Sequence, residues 1–369
     1  MDKKPIFVTK AFLPPFEEFV EEIKIIWETH ILSNNGPIHN EFAEQLKKYL
    51  KVDGLALLSN GHQALEIAIK ALNLEGEVIT TPFTFASTVH AIVRCGLTPV
   101  FADIRSDDFN IDEKLIESLI TEKTCAILPV HVYGNPCHVN AIEQIAKKHN
   151  LKTIYDAAHA FGVEIDSKGI GLFGDISMFS FHATKVFNTI EGGALTFSNP
   201  DLDRIIYLLK NFGIAGPEDV LLPGTNAKMS EFQAVMGKIN LKYVDAEILK
   251  RELVVKKYLE NLEDVAGVQI FAGNGLSSKY NYAYLPVSID EVEYGLSRDS
   301  LFELFAREEI FPRKYFFPLV TDYACYRDKF KANIPVARHA SERILTLPLW
   351  GDISDEAIDR VCKVIRQKS

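Results

Sequence analysis

The sequence predicts an α/β protein, in which helices cover both faces of a mostly parallel sheet and a smaller α+β domain follows at the C-terminal end. Two observations support this fold class. Between about residues 55 and 200, short apolar runs alternate with Ala-rich stretches of helical period, and such alternation is typical of parallel sheets. After about residue 245, a long charged helical stretch leads into mixed elements. The 369 residues are enough for two or three domains.

The start of the chain is expected to form an amphipathic arm. Apolar residues recur at helical spacing from Phe16 to Trp27, with acidic residues between them. The turn-forming residues 33–37 end this pattern, and a second short helix follows with Phe42 and Leu50 on one face. The predicted parts of the chain are an N-terminal arm at 1–30, a large domain at 31–244 and a small domain at 245–369.

The strands of the large domain are predicted where apolar runs are too short for helices. They are Leu55–Leu58, Val78–Thr80, Val100–Ala102, Ala126–Val130, Lys152–Tyr155, Ile176–Phe181 and Ala194–Phe197. Helices are expected between several of them, at Gln63–Leu72, Ala86–Val93, Ile111–Ile120 and Val139–His149. The small domain is expected to contain strands Val268–Phe271 and Tyr282–Ile289 and helices Glu247–Leu262, Arg298–Arg307 and Ser354–Ile365. Since ligands of parallel sheets bind at the carboxyl ends of strands, residues directly after strands are the candidate site residues.

Composition argues against several classes of function. The 40 basic and 50 acidic residues give a formal charge of −10, which offers no footprint for nucleic acid or an anionic membrane. No stretch approaches the ~20 apolar residues of a membrane span, and no signal-peptide pattern opens the chain. The five cysteines are scattered without a CxxC pair, so neither a metal site nor a disulfide framework is expected. We therefore expect a cytoplasmic protein.

Lys185 follows the predicted strand Ile176–Phe181 and is followed closely by the pair Gly192-Gly193. A solvated surface lysine is the ordinary alternative. Burial near a strand end would favour the neutral amine, which is the form that condenses with an aldehyde or ketone. Ser180, at the end of the same strand, is a candidate donor to a phosphate.

Asp156 directly follows the candidate strand Lys152–Tyr155 and lies in the run from Ile154 to Gly162. One interpretation is that its carboxylate only caps the Ala-rich turn that follows. The functional interpretation is a carboxylate that keeps a pyridine nitrogen protonated through a charge-assisted hydrogen bond. His159 is expected to face the same pocket.

A phosphate site is predicted at residues 59–65, where a strand ends, Gly61 allows a turn and a helix begins. The free N–H groups of a helix N-terminus and the helix dipole together favour an anion. A plain turn with a helix cap explains the same residues.

The segment 81–87 places two aromatic side chains, Phe83 and Phe85, between a strand and a helix. One of them is a candidate to stack on a flat heteroaromatic ring, although core packing is the commoner role. Together the four signals supply a Schiff-base amine, an acid partner, a phosphate cradle and a stacking face. These are the four kinds of group that a protein needs to bind and orient pyridoxal phosphate.

The motifs resemble those of the DegT/DnrJ/EryC1/StrS family of pyridoxal-phosphate sugar aminotransferases. The resemblance covers nearly the whole chain, through SNGHQAL, TTPFTFAST, PVFADI, AILPVHVYGNP, IYDAAHAFG, SMFSFHATKVFNTIEGGA and TNAKMSEFQA. It implies a fold-type I aminotransferase that works as a homodimer.

The resemblance also assigns roles within the motifs. Lys185 would form the Schiff base with the cofactor, Asp156 would bond the pyridine nitrogen and Phe85 would stack on the ring. The phosphate would be held by Ser180, by the turn at Gly61, by backbone groups of His62 and Gln63, and by Asn226 of the other subunit. His62 stands where the family often has threonine, and His159 where it often has a glutamine that bonds the phenolic oxygen. The tautomer of His159 cannot be read from sequence.

The implied reaction moves the amino group of L-glutamate to a nucleotide-linked keto-sugar. The motif variants are most similar to enzymes that aminate C4 of a dTDP-linked 4-keto-6-deoxyhexose, a product used for surface polysaccharide such as O-antigen. Amination at C3, or a non-catalytic cofactor-binding regulator, remains the alternative. A dehydratase has histidine at the place of Lys185, and a dinucleotide-binding protein would need a GxGxxG motif that is missing here. Candidate residues for the substrate are Tyr133, Arg313, Lys314, Tyr315, Lys331 and His339.

Overall fold

The computed structural model describes residues 4–367. The helices in this range are α1 (Phe16–Thr29), α2 (Pro37–Leu50), α3 (Gly61–Ala71), α4 (Ala86–Arg94), α5 (Glu113–Ile116), α6 (Val139–His149), α7 (Asp201–Lys210), α8 (Glu231–Leu241), α9 (Val244–Leu262), α10 (Glu291–Tyr294), α11 (Arg298–Arg307), α12 (Pro335–Arg343) and α13 (Asp355–Gln367). The strands are β1 (Ile6–Phe7), β2 (Gly54–Leu58), β3 (Glu77–Thr80), β4 (Thr98–Phe101), β5 (Thr124–Ile127), β6 (Lys152–Asp156), β7 (Glu164–Ile165), β8 (Lys168–Gly169), β9 (Ile176–Ser180), β10 (Gly193–Phe197), β11 (Val268–Ile270), β12 (Leu285–Ile289), β13 (Ile310–Phe311) and β14 (Ile344–Leu347).

The central sheet has seven strands in the order β2-β10-β9-β6-β5-β3-β4. Neighbouring strands from β9 to β4 run parallel, whereas β10 is antiparallel to both β2 and β9. The mostly parallel α/β fold predicted from the sequence is therefore confirmed. The antiparallel strand β10 is explained by its short connection, since β9 and β10 are joined by the loop that carries Lys185 and no crossover helix lies between them.

Helices pack on both faces of the sheet because its strands are apolar on both faces. Leu57 contacts one buried cluster with Phe42 of α2, whereas its neighbour Leu58 contacts the opposite cluster with Leu65 of α3. Successive side chains of a strand point to opposite faces, so a continuous apolar run is what a doubly covered strand requires. Burial of each such leucine contributes about 1.5–3 kcal/mol.

The C-terminal part of the chain has its own antiparallel sheet, β11-β12-β14, and its own buried cluster. Tyr258 of α9, Phe305 of α11 and Ile365 of α13 are fully buried in this cluster, together with Ile6 from the N-terminal end. The carboxylate of Asp103, after β4, accepts the N–H groups of Val336 and Ala337 at the start of α12. This contact joins the central sheet to the C-terminal elements.

Two differences from the predicted elements have clear causes. The helix predicted at Ile111–Ile120 is only Glu113–Ile116 followed by a 3₁₀ turn, because Ile111 pairs with Ile104 in a β-bridge instead. Helix α8 begins within the TNAKMSEFQA motif and continues beyond it to Leu241, in a region where we predicted no element. The division into parts at 1–30, 31–244 and 245–369 stays a prediction, and its first and last residues lie outside the described range. Within residues 4–367, no helix is both long and apolar enough to cross a membrane.

Candidate active site

A cavity of about 600 Å³ opens at the carboxyl ends of the central strands. Strand pairing explains why the predicted residues meet there, since Asp156 ends β6, Ser180 ends β9, and Gly193 of β10 pairs with both Ser180 and Leu58 of β2. The predicted residues that line the cavity are Gly61, His62, Phe85, Asp156, His159, Ser180 and Lys185. Gln63 and Asn226 are not among its lining residues.

The Lys185 side chain is partly buried in the loop between β9 and β10. Its backbone N–H donates to the His182 carbonyl at 2.9 Å, which closes a turn directly after the strand. Its ammonium lies 5.9 Å from the centre of the Tyr284 ring, and no hydrogen bond or ion pair engages the amine among residues 4–367. Burial lowers the pKa of Lys185 to about 8, although Asp156 and Tyr315 oppose this shift. The amine is thus held in the range where its neutral form is accessible.

The Asp156 carboxylate is 5% exposed and accepts two hydrogen bonds from the protein. The Thr88 hydroxyl donates to Oδ2 at 2.8 Å, and the Ala158 N–H donates to Oδ1 at 3.1 Å. Burial raises the pKa of Asp156, while these two bonds and the charge of Lys185 act in the opposite direction. The bond to Ala158 is the turn-capping contact considered from the sequence. A buried carboxylate with this environment is suited to a cationic N–H partner in the cavity.

The His159 ring is 8% exposed, and its hydrogen bonding settles the tautomer. The Tyr133 backbone N–H donates to Nδ1 at 3.2 Å, so Nδ1 is the acceptor and carries no proton. Burial and the nearby Lys185 charge hold the pKa of His159 well below its usual value. A neutral ring with an unprotonated Nδ1 carries its proton on Nε2, which leaves this atom as a donor.

At the phosphate cradle predicted at the start of α3, Gly61 lies against Ser180 of β9, and both residues line the cavity. A Cβ atom on Gly61 would lie 2.9 Å from Ser180 Cβ, so only glycine allows the helix start to approach β9 this closely. The free N–H groups of α3 and the Ser180 hydroxyl therefore face the same space. The Gln63 N–H differs from the expectation, because the Asn60 side chain already accepts it at 2.8 Å.

His62 lines the cavity, but hydrogen bonding directs its ring toward α4. Its Nδ1 lies 2.9 Å from the Ser87 hydroxyl, and its Nε2 lies 3.4 Å from Glu66. Glu66 also pairs with Arg94 at 2.5 Å, so the imidazole belongs to a chain of polar contacts between α3 and α4. The backbone of His62 remains at the helix start, where phosphate contacts were expected.

The two phenylalanines before α4 have different surroundings. Phe83 is fully buried and stacks on Phe109 with 5.5 Å between ring centres, so it belongs to the core. Phe85 is 59% exposed and lines the cavity. An exposed apolar ring on a cavity wall is suited to stacking on a flat ligand.

Several residues at the site had no assigned role in the sequence analysis. Thr84 lines the cavity just before α4, and its hydroxyl lies 2.8 Å from the hydroxyl of Thr88 on that helix. Two threonines four residues apart at the start of a predicted helix are a signal that could have indicated this contact. Tyr284 lies directly before β12, an element that the sequence did not connect with the site, and it lines the cavity.

The structure shows which of the candidate substrate residues line the cavity and which lie elsewhere. Arg313 and Tyr315 line the cavity, whereas Lys331 lines a separate groove beside β4. Lys314 pairs with Asp299 at 2.5 Å. Tyr133 is fully buried with its hydroxyl on the Tyr315 carbonyl, and His339 bonds Arg343.

Asn226 lies before α8, where it forms a β-bridge with Asn211. The Lys228 ammonium donates to its Oδ1 at 2.7 Å, so its Nδ2 amide is left as a donor. The position outside the cavity of its own chain is what a contact made in a second subunit requires.

The residues of this cavity fit pyridoxal phosphate. The group carries a phosphate, a pyridine nitrogen, a phenolic oxygen and an aldehyde on one flat ring. The cavity presents, in the same order, the α3 N-terminus with Ser180, the Asp156 carboxylate, the His159 Nε2 donor and the Lys185 amine. Each chemical group of the cofactor therefore has a complementary group on the protein.

Comparison with known proteins agrees with this chemistry. The DegT/DnrJ/EryC1/StrS aminotransferase family matches residues 16–366. The chain is 42% identical over 366 residues to the dTDP-4-amino-4,6-dideoxy-D-glucose transaminase of Shigella dysenteriae, with 99% of each chain covered. It is 41% identical over 374 residues to the Escherichia coli enzyme of the same name, with all of both chains covered.

Among solved structures, DesI in the presence of its TDP-sugar product superposes with a TM-score of 0.93 at 35% identity. The match covers 99% of this chain and 93% of that one. Fold, cofactor chemistry and sequence thus agree on a pyridoxal-phosphate-dependent aminotransferase. The chain belongs to the DegT/DnrJ/EryC1/StrS aminotransferase family.

Proposed function

We propose that this enzyme transfers the amino group of L-glutamate to C4 of a dTDP-linked 4-keto-6-deoxyhexose and yields a 4-amino-4,6-dideoxy sugar nucleotide. One observation carries the proposal. The Lys185 amine, the Asp156 carboxylate and the phosphate cradle at Gly61 open into a single cavity. The substrate class is supported by two relatives above 40% identity over almost their whole length, which are named for this sugar.

Pyridoxal phosphate, when bound, supplies an electron-withdrawing ring that takes up negative charge as a proton leaves the α-carbon of the amino donor. The protein must hold this ring and move protons around it. Lys185 Nζ is the group placed to accept the α-proton, because it is the amine in the cavity and its pKa is lowered to about 8. A base with this pKa accepts and returns a proton near neutral pH.

Asp156 and His159 hold the ring at two of its polar atoms. The Asp156 carboxylate, whose geometry is fixed by Thr88 and Ala158, would stabilise a proton on the pyridine nitrogen. The His159 Nε2–H would donate to the phenolic oxygen, since the Nδ1 atom accepts the Tyr133 N–H. Both side chains are held by the protein itself, so these contacts would cost little reorganisation during the reaction.

The proposal includes a homodimer in which Asn226 of one copy contacts the phosphate in the other. Two features support this. The Asn226 amide is a free donor outside its own cavity. Large apolar side chains are exposed in the loop before it, at Val220 and Leu221, and on α1, at Phe16 and Trp27. Contiguous exposed apolar surface marks sites of association.

We place the enzyme in the cytoplasm, which the five free cysteines support. That its product serves surface polysaccharide such as O-antigen stays a prediction. The deciding experiment supplies L-glutamate with dTDP-linked 4-keto and 3-keto 6-deoxyhexoses in separate reactions and locates the new amine by NMR. We expect amination at C4. A product aminated only at C3 would reject the proposed substrate, and the absence of any amino sugar would reject the proposed transfer.

A further inference from the structure

Arg313 stands apart from the other cations of the C-terminal part of the chain. Its exposed side chain lines the cavity that contains Lys185, and it forms no hydrogen bond or ion pair with any other side chain of residues 4–367. The next residue, Lys314, differs in both respects. Its ammonium pairs with Asp299 at 2.5 Å and lies 4.5 Å from the centre of the Phe302 ring.

The backbone that carries Arg313 is held from both sides. Its N–H donates to the Thr346 carbonyl at 3.2 Å, and the Thr346 N–H donates back to the Arg313 carbonyl at 2.7 Å. Two residues further on, the Tyr133 hydroxyl donates to the Tyr315 carbonyl, and the Ser341 hydroxyl donates to the Phe316 carbonyl at 2.7 Å. A guanidinium mounted on such a fixed segment loses little backbone freedom when it binds a ligand.

The acidic residues of the cavity wall do not neutralise Arg313. Asp156 is engaged by Thr88 and Ala158, and Glu191 lies 3.6 Å from His182 Nε2. Among residues 4–367, the other basic side chain of the lysine and arginine type that lines the cavity is Lys185, to which we assign the proton transfer. An exposed, unpaired guanidinium in a cavity recognises planar oxyanions through two parallel hydrogen bonds.

We propose that the Arg313 guanidinium binds an oxyanion of the substrates, either a carboxylate of the amino donor or a phosphate of the sugar nucleotide. Both substrates enter the same cavity in turn, and both carry such groups. Arg313 is in this sense a specificity-determining residue, and the inference rests on the proposed function.

The test measures binding without turnover. Calorimetric titration of the holoenzyme with glutarate reports on the carboxylate source, and titration with thymidine diphosphate reports on the phosphate source. For Arg313→Gln we expect the Kd of at least one probe to rise about 10- to 100-fold, since a charge-assisted hydrogen bond is lost. For Arg313→Lys we expect a Kd between those of the natural protein and Arg313→Gln, because lysine keeps the positive charge but lacks the planar guanidinium group.

Lys314→Gln is the matched control, since it removes one positive charge from the neighbouring position outside the cavity, and its Kd values should stay within about twofold. The probe that weakens identifies the source of the oxyanion. Unchanged Kd values in Arg313→Gln, an equal loss in Lys314→Gln, or no binding of either probe to the natural holoenzyme would overturn the proposal. The proposed function is judged separately by formation of the amino sugar, so the two failures can be told apart.

Discussion

The Lys185 amine is held in an environment that favours loss of its proton. Burial lowers its pKa to about 8, so about a tenth of the amine is neutral at pH 7, against fewer than about one part in a thousand for an ordinary lysine. The neutral form is the nucleophile. We therefore predict that covalent attachment of pyridoxal phosphate to the apoprotein becomes faster as pH rises, reaches half of its maximum rate near pH 8 and levels off about one pH unit higher.

Stopped-flow absorbance at several pH values measures this attachment, and borohydride reduction followed by peptide mass spectrometry locates it. Lys185→Ala should show no attachment and no turnover, while its circular dichroism matches the natural protein. A rate that keeps rising to pH 10, or label on another lysine, would contradict the assignment.

Asp156 has two roles to separate, since its carboxylate caps the turn at Ala158 and also faces the cavity. Asp156→Asn keeps the shape and part of the capping but removes the charge that stabilises a pyridinium proton. We expect turnover to fall by at least about 100-fold, in the range of a lost electrostatic contact to the reacting group. Steady-state kinetics with saturating cofactor measure this loss.

Thr88→Val is the companion variant, because it removes the 2.8 Å hydrogen bond to Asp156 Oδ2, together with the 2.8 Å contact to the Thr84 hydroxyl, and leaves the Asp156 carboxylate charged. Its loss should be about tenfold or less, from a misplaced but still charged carboxylate. If Asp156→Asn also loses less than about tenfold, or 1.4 kcal/mol of barrier, the carboxylate acts only as a turn cap.

At the scale of residues, the sequence predicted which residues lie at the site better than it predicted their hydrogen-bond and ion-pair partners. Asp156 and Ser180 lie at the ends of strands and Lys185 lies in the loop after one, and strand ends can be recognised locally. The tautomer of His159 depends on the Tyr133 N–H, which is distant in sequence. Arg313 and Lys314 are adjacent basic residues that the sequence does not distinguish. Only tertiary contacts show that Lys314 is paired with Asp299, whereas Arg313 lines the cavity.

At the scale of elements, the proposed phosphate cradle depends on the close approach of α3 to β9. Gly61→Ala would place a Cβ atom 2.9 Å from Ser180 Cβ and push the helix start away from the strand. We expect pyridoxal phosphate to bind at least about tenfold more weakly, because the helix N–H groups and the Ser180 hydroxyl no longer converge. Fluorescence titration of the apoprotein measures the Kd.

Gly237→Ala is a control of similar steric severity in α8, where the added Cβ would meet the Phe42 ring at 2.5 Å. It should lower the melting temperature of the apoprotein through overpacking, with little effect on cofactor affinity in the folded fraction. Equal weakening of cofactor binding by both variants would show that the effect at Gly61 is one of general stability.

Local signals account for most of the elements, whereas several elements, among them α7, α8 and α12, were not predicted. Helix α6 begins and ends at the predicted residues, because its apolar period and its flanking residues agree. Helix α8 has a capping box in which the Ser230 side chain accepts the Gln233 N–H, and the S-x-x-Q pattern is visible in the sequence. The weak amphipathic pattern of this buried helix explains why periodicity alone did not indicate it.

At the scale of the whole molecule, strand order could not be read from the sequence. Parallel pairing of β9 with β6, and insertion of β10 between β9 and β2, depend on contacts between residues far apart in the chain. The predicted fold class needed only alternation of strands and helices. The meeting of Asp156, Ser180 and Gly61 depends on the strand order as well, which no local signal in the sequence supplies.

The proposed sharing of the site between subunits gives a prediction that is tested on the assembled dimer. Lys185→Ala lacks the amine, and Asn226→Asp places a negative charge against the phosphate, so each homodimer should be almost inactive. Unfolding and refolding the two variants together in equal amounts should restore about a quarter of natural activity. Half of the dimers are then mixed, and one of the two sites in each mixed dimer combines a native Lys185 with a native Asn226.

The separately refolded variants, pooled afterwards, give the baseline for this recovery, and light scattering confirms that dimers have formed. If Asn226 served the cavity of its own chain, every site in the mixture would lack one of the two residues and no activity would return. The position of Asn226 outside its own cavity, with Lys228 on Oδ1 and the amide donor free, favours recovery. Absence of recovery in verified mixed dimers would therefore reject the shared site while leaving the roles of Lys185 and Asp156 in place.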